Sequence, residues 1–77
     1  MTDNNLITRI GRALWGERWQ AEMARTLGVN KDTVQAWRRG QHQPRPGVYR
    51  DLLNIAEVRQ IECATAIREI RQAAENE

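Results

Sequence analysis

The segment Asn30 to Arg39 sets side chains of unlike hydrogen-bonding type within a turn or so of each other: Lys31, Asp32, Gln35 and Ala36, followed by Arg38 and Arg39. Lys31 is a donor, an ionised Asp32 an acceptor, and Gln35 is both. Such a row suits recognition better than bond-making. Bond-making needs a nucleophile with a base and an orienting group, and this chain has a single imidazole, His42, and a single thiol, Cys63, far apart in sequence. No enzyme activity is expected. The same scarcity rules out a disulfide framework and a structural zinc site, so no cofactor or metal is expected either.

The charge distribution narrows the partner. The 77-residue chain has a net charge of +2, which is unremarkable until it is divided along the sequence. Residues 31–50 hold Lys31, Arg38, Arg39, Arg45 and Arg50 against Asp32, whereas residues 51–77 hold three arginines against six carboxylates. Binding to a polyanion depends on local neutralisation of phosphates, and a concentrated cationic middle supplies it. On duplex DNA, Lys31 can donate to guanine O6 or N7, and Gln35 can pair with adenine N6 and N7. Asp32 can accept from cytosine N4, and the Ala36 methyl can touch a thymine methyl.

These residues must be held by something rigid. Scattered β-branched residues, the absence of Phe and an aliphatic and Ala-rich apolar set favour helices without a sheet. A first helix is predicted from about Asn5 to Trp15, capped by Asp3, Asn4 or Asn5 and stopped at Gly16, with Leu6, Ile7, Ile10, Ala13 and Leu14 as its apolar face. A second runs from about Trp19 to Leu27, with Met23, Ala24 and Leu27 inward. Gly28 allows a sharp turn, Asn30 caps a third helix that ends at Gly40, and Val34 and Trp37 face the core. Tryptophans at this spacing read as core residues, since a duplex offers no unstacked base to Trp15, Trp19 or Trp37.

After the polar stretch Gln41–Arg45, Pro46 suits a first helical turn, and the rest reads as helix to about residue 75. Val48, Leu52 and Ile55 form one stripe, while Cys63, Ile67, Ile70 and Ala74 form another, offset from it, at 4-3-4 spacing. Asn54 and Glu57 make a capping box possible, which leaves one long helix and two shorter ones as alternatives. Unbroken, it spans roughly 45 Å, more than a small three-helix core can cover. Its end needs another partner, and Cys63, Ile67, Ile70 and Ala74 are the expected dimer contact.

Residues 20–39, through Gln20, Met23–Ala24, Leu27–Gly28–Val29, Thr33–Val34, Trp37 and Gly40, resemble the lambda-repressor-like, Cro-type helix-turn-helix family of phage and bacterial regulators. The resemblance implies that the third helix lies in the major groove, with Asn30, Lys31, Asp32 and Ala36 at base-facing positions and Gln20 on a phosphate. Thr33, Arg38, Arg39, Gln43 and Arg45 are the further phosphate candidates. Trp19 departs from the family pattern, which usually has a small hydroxyl or acidic capping residue there.

The expectation is therefore one all-α domain over residues 1–77: a compact helix-turn-helix domain of four to five helices with an extended C-terminal helix. Its function would be sequence-specific transcriptional regulation, as a dimeric repressor on an inverted-repeat operator. Double-stranded DNA and a second copy are the expected partners, with no membrane or small-molecule ligand and a cytoplasmic location. A protein-interaction module and an excisionase-like phage DNA-handling subunit are the alternatives.

Overall fold

The computed structural model describes residues 5–76, which are all-helical, with no strand among them. Helix α1 spans Leu6–Trp15, and a 3-10 turn over Gly16–Arg18 leads into α2, Trp19–Leu27. Helices α3, Lys31–Arg39, and α4, Pro46–Glu75, complete the order. Three short helices and the first half of α4 make the compact body. The expected count of four to five helices in that body is not met, because the second half of the chain stays a single rod.

Asn5 starts α1, its Oδ1 accepting the Thr8 N–H at 3.1 Å. The other two cap candidates, Asp3 and Asn4, lie outside the described residues. The buried face of α1 is Ile7, Thr8 and Gly11, with Ile10 and Leu14 at its margin. Here the sequence expectation needs correcting: Leu6 is 51% exposed and Ala13 is exposed as well. The helix is turned so that Gly11, which has no side chain, meets the indole of Trp19. A Cβ at Gly11 would sit 2.5 Å from Cδ2 of that ring, so a glycine is what lets α1 and α2 approach.

Trp19 explains its own departure from the expected capping type. Only 2% of it is exposed, and α2 begins without a side-chain cap, fed instead by the 3-10 turn. The residue anchors the core rather than the helix end. Met23 and Val34 are fully enclosed beside it, with Ile7, Ala24, Trp37 and Leu52 completing the cluster. Enclosing a side chain of the Met or Val kind contributes about 1.5–3 kcal/mol, so this small cluster carries most of what holds the body together.

Between α2 and α3, Gly28 adopts φ 70°, and its N–H and that of Val29 both donate to the Ala24 carbonyl. That left-handed residue turns the chain within three residues, a conformation a side chain would strain.

Helix α4 starts at Pro46 and runs 30 residues without a break at Asn54. No Gly or Pro interrupts it after Gly47, and Asn54 stays exposed on its outer side. Leu52 is buried against the body, with Val48, Tyr49 and Ile55 beside it. The last fastening is Arg59, whose Nη1 donates to the Leu14 carbonyl while its guanidinium lies 5.9 Å from the centre of the Trp15 ring. From Glu57 to Asn76 every residue is exposed, and the molecule measures 51 × 25 × 18 Å.

Candidate nucleic-acid interface

Helix α3 is fastened at both ends. At its start, Asn30 Oδ1 accepts the Asp32 N–H at 2.8 Å, which satisfies one of the donors a helix leaves open there. At its end, Asn5 Nδ2 donates to the Trp37 carbonyl at 2.9 Å and the Arg38 carbonyl at 3.1 Å. One asparagine therefore caps the start of α1 through its oxygen and the end of α3 through its nitrogen. Beyond it, Gly40, Gln41 and His42 turn their N–H groups back onto the Ala36 carbonyl.

Val34 and Trp37 point into the core, which decides what the opposite side presents. Lys31, Asp32, Thr33 and Arg39 are exposed, and Gln35, Ala36 and Arg38 are partly so. Asn30 is exposed at the helix start. Gln43 and Arg45 are exposed in the following loop, whose Pro44 is buried and holds it to the body.

Between the start of α2 and α3 lies an open notch of about 330 Å³, lined by Glu17, Arg18, Gln20, Ala21, Lys31 and Gln35. It brings together Gln20, expected on a phosphate, with Lys31 and Gln35, expected on bases. The remaining candidates on α3 and its loop are not among the residues that line it. Arg18 and Glu17 are additions that sequence reasoning missed. They arrive through the 3-10 turn, whose signal was the missing cap before α2. Asn5 was also missed as a support of α3, since a contact across more than thirty residues leaves no local trace.

On the far side of α2, Arg25 Nη2 meets Glu22 Oε2 at 2.9 Å. The hydrogen bond and charge of Arg25 hold the Glu22 carboxyl below its usual range, and Glu22 raises the Arg25 guanidinium in return. Both groups are solvent-facing, so the pair adds little to stability.

Cys63, Ile67, Ile70 and Ala74 lie on the exposed half of α4, apart from the notch. Cys63 is a free, exposed thiol. Among the described residues, no group of three or more His, Cys, Asp or Glu gathers where a metal could sit, and no helix is long and apolar enough to cross a membrane. Compared with known proteins, the chain matches no family model, no curated protein and no solved structure.

Proposed function

We propose that this protein is a sequence-specific, double-stranded DNA-binding regulator of transcription, a dimeric repressor of the Cro-type helix-turn-helix kind acting in the cytoplasm. Helix α3 enters the major groove. Nine residues make a rod about 14 Å long and 10–12 Å across, and B-DNA offers a groove about 12 Å wide. Asn30, Lys31, Asp32, Gln35 and Ala36 address base edges, while Gln20, Thr33, Arg38, Arg39, Gln43 and Arg45 hold phosphates and sugars. Arg18 joins the phosphate group from the edge of the notch.

The observation that carries this reading is the clamped polar face of α3. Base reading needs donors and acceptors held to a fraction of an ångström, and the caps from Asn30 and Asn5 hold the backbone of this helix at both ends. Two copies paired through α4, with Cys63, Ile67, Ile70 and Ala74 at the contact, would address half-sites roughly 34 Å apart. No catalytic step forms part of this function.

Selection of bound sites from a random duplex pool tests it. The expected product is a symmetric consensus whose affinity falls steeply with salt. Purified protein with no salt-sensitive affinity for any duplex would overturn the reading.

A further inference from the structure

The exposed half of α4 leaves large aliphatic side chains in water. Ile67 and Ile70 are 48% and 65% exposed, and Leu53, on the half that packs against the body, is 58% exposed, while Val58 and Ile61, at 57% and 68%, lie on the other side of the helix. The chain's accessible surface is 6049 Å², against roughly 4,800 Å² for a folded monomer of this mass. The excess of about 1,200 Å² belongs to the elongated 51 × 25 × 18 Å molecule as a whole, and the rod of α4 is the part of it long enough to take a standard interface of ~800 Å² per partner. A second copy has the matching surface to cover it.

The spacing points to how that copy lies. The alternation of four and three residues that links Cys63, Ile67, Ile70 and Ala74 extends backwards through Gln60, Ala56 and Leu53 to Tyr49. It is one unbroken heptad seam that begins on the body and ends near the helix C-terminus. Beside its first turns lies an apolar groove of about 230 Å³, lined by Ile10, Tyr49, Leu52, Leu53 and Ala56.

Resting on the dimer reading above, we propose that two copies pair through this whole seam with their α4 helices antiparallel, the free end of each helix lying in the groove of the other's body. In this register Ala74 meets the partner's Tyr49, Ile70 meets the partner's Leu53, Ile67 meets the partner's Ala56, and Cys63 meets the partner's Gln60. Small faces large at the outermost layer and again where Ile67 meets alanine, as close packing requires. A parallel pair would instead stack tyrosine on tyrosine, alanine on alanine and glutamine on glutamine. It would leave gaps at Ala56 and Ala74 and bury two amides face to face. The like charges that the antiparallel register brings near each other, Arg50 and the partner's Arg71, sit at the solvent-exposed rim, where screening keeps their repulsion small. Pairing through the exposed ends alone would leave Leu53 and its groove uncovered.

Disulfide trapping of the full chain without DNA tests the arrangement. In a Cys63→Ser background, Leu53→Cys with Ile70→Cys is expected to give a covalent dimer on mild oxidation. Ile70→Cys alone is expected to give none, because seventeen residues, about 26 Å of helix, separate the two copies of that position. A disulfide requires Cα atoms within about 7 Å. Both substituted residues are exposed in the single chain, and circular dichroism of each variant checks that the helices persist. A covalent dimer from Ile70→Cys alone, or a monomer by sedimentation at tens of micromolar, overturns the proposal. Failure of this seam is separable from failure of the DNA reading: a monomer that still binds duplex sinks the former, and an antiparallel dimer without duplex affinity sinks the latter.

Discussion

Gly11→Ala sets two physical effects against each other, and the structure decides the sign. Gly11 lies inside α1, where helix propensity by itself favours alanine by about 1 kcal/mol. The new Cβ, however, would lie 2.5 Å from Cδ2 of Trp19, closer still to Cε3, and 3.0 Å from Cγ. Carbon atoms rest at about 3.5–4.0 Å, so the indole or the whole of α1 has to retreat by about an ångström. The ring has little room, being 2% exposed within the core. Overpacking of this kind costs about 1–3 kcal/mol, and a displaced, fully enclosed ring belongs at the upper end. The net expectation is a loss of about 2 kcal/mol after the propensity gain is subtracted. For a domain of this size that lowers the melting temperature by about 8–16 °C. Thermal circular dichroism measures it, with urea titration of tryptophan fluorescence as a second probe. Ala13→Gly, at an exposed position of the same helix, isolates the propensity effect and should cost about 1 kcal/mol. A melting temperature equal to or above that of the parent in Gly11→Ala would refute the packing argument.

Asn5→Ala removes the α1 cap and the two bonds to the end of α3, so a stability loss of about 2 kcal/mol is expected. Duplex affinity should fall more than the unfolded fraction explains, as read by fluorescence anisotropy at a temperature where the variant is folded. Thr8→Val replaces a hydroxyl that is buried without a hydrogen-bond partner by a methyl of similar shape. It should raise stability by about 1 kcal/mol, and a lower melting temperature would contradict that. Lys31→Ala and Gln35→Ala are each expected to relax base preference by about 1–3 kcal/mol, whereas Arg39→Ala should weaken all duplexes alike and flatten the salt dependence. Equal losses on specific and random DNA for the first pair would remove their reading role.

Local chemistry was the legible part of this fold. Asn30, Gly28, Gly40 and Pro46 mark helix ends by conformational preferences that act within a few residues, and the structure has α2 ending at Gly28, α3 running between Asn30 and Gly40, and α4 starting at Pro46. Val34, Trp37 and Met23 were readable as core from spacing, because a short helix with two large apolar residues has one way to bury them. The rotation of α1 was not readable. Leu6 and Ala13 are more apolar than Thr8 and Gly11, which take their place on the buried face, and the deciding contact, Trp19 on Gly11, is a property of two helices together. Trp19 looked like a poor cap because capping is a local test and its role is not local. The continuity of α4 was open for the same reason: Asn54 and Glu57 satisfy a local capping pattern, yet Leu52 before that point and Ile55 and Arg59 after it all meet the body along one continuous helix. At the candidate interface, the spacing of Val34 and Trp37 left Lys31, Asp32, Gln35, Ala36, Arg38 and Arg39 outside the core, as they are, while the notch that joins Lys31 and Gln35 to Gln20 and Arg18 depends on the turn after α1.

Arg59 has a mechanical consequence. By gripping the Leu14 carbonyl and covering the Trp15 ring, it makes the far half of α4 a stiff lever whose direction is set by the body. Length and twist of that lever then become separable. Seven residues inserted after Arg59 would move its tip outward by about 10 Å while rotating it by only about 20°. Four inserted residues would move it about 6 Å and rotate it by about 40°. In the proposed dimer the distance between the two bodies could thus be changed with little change of angle, or with a large one, without touching any residue of α3.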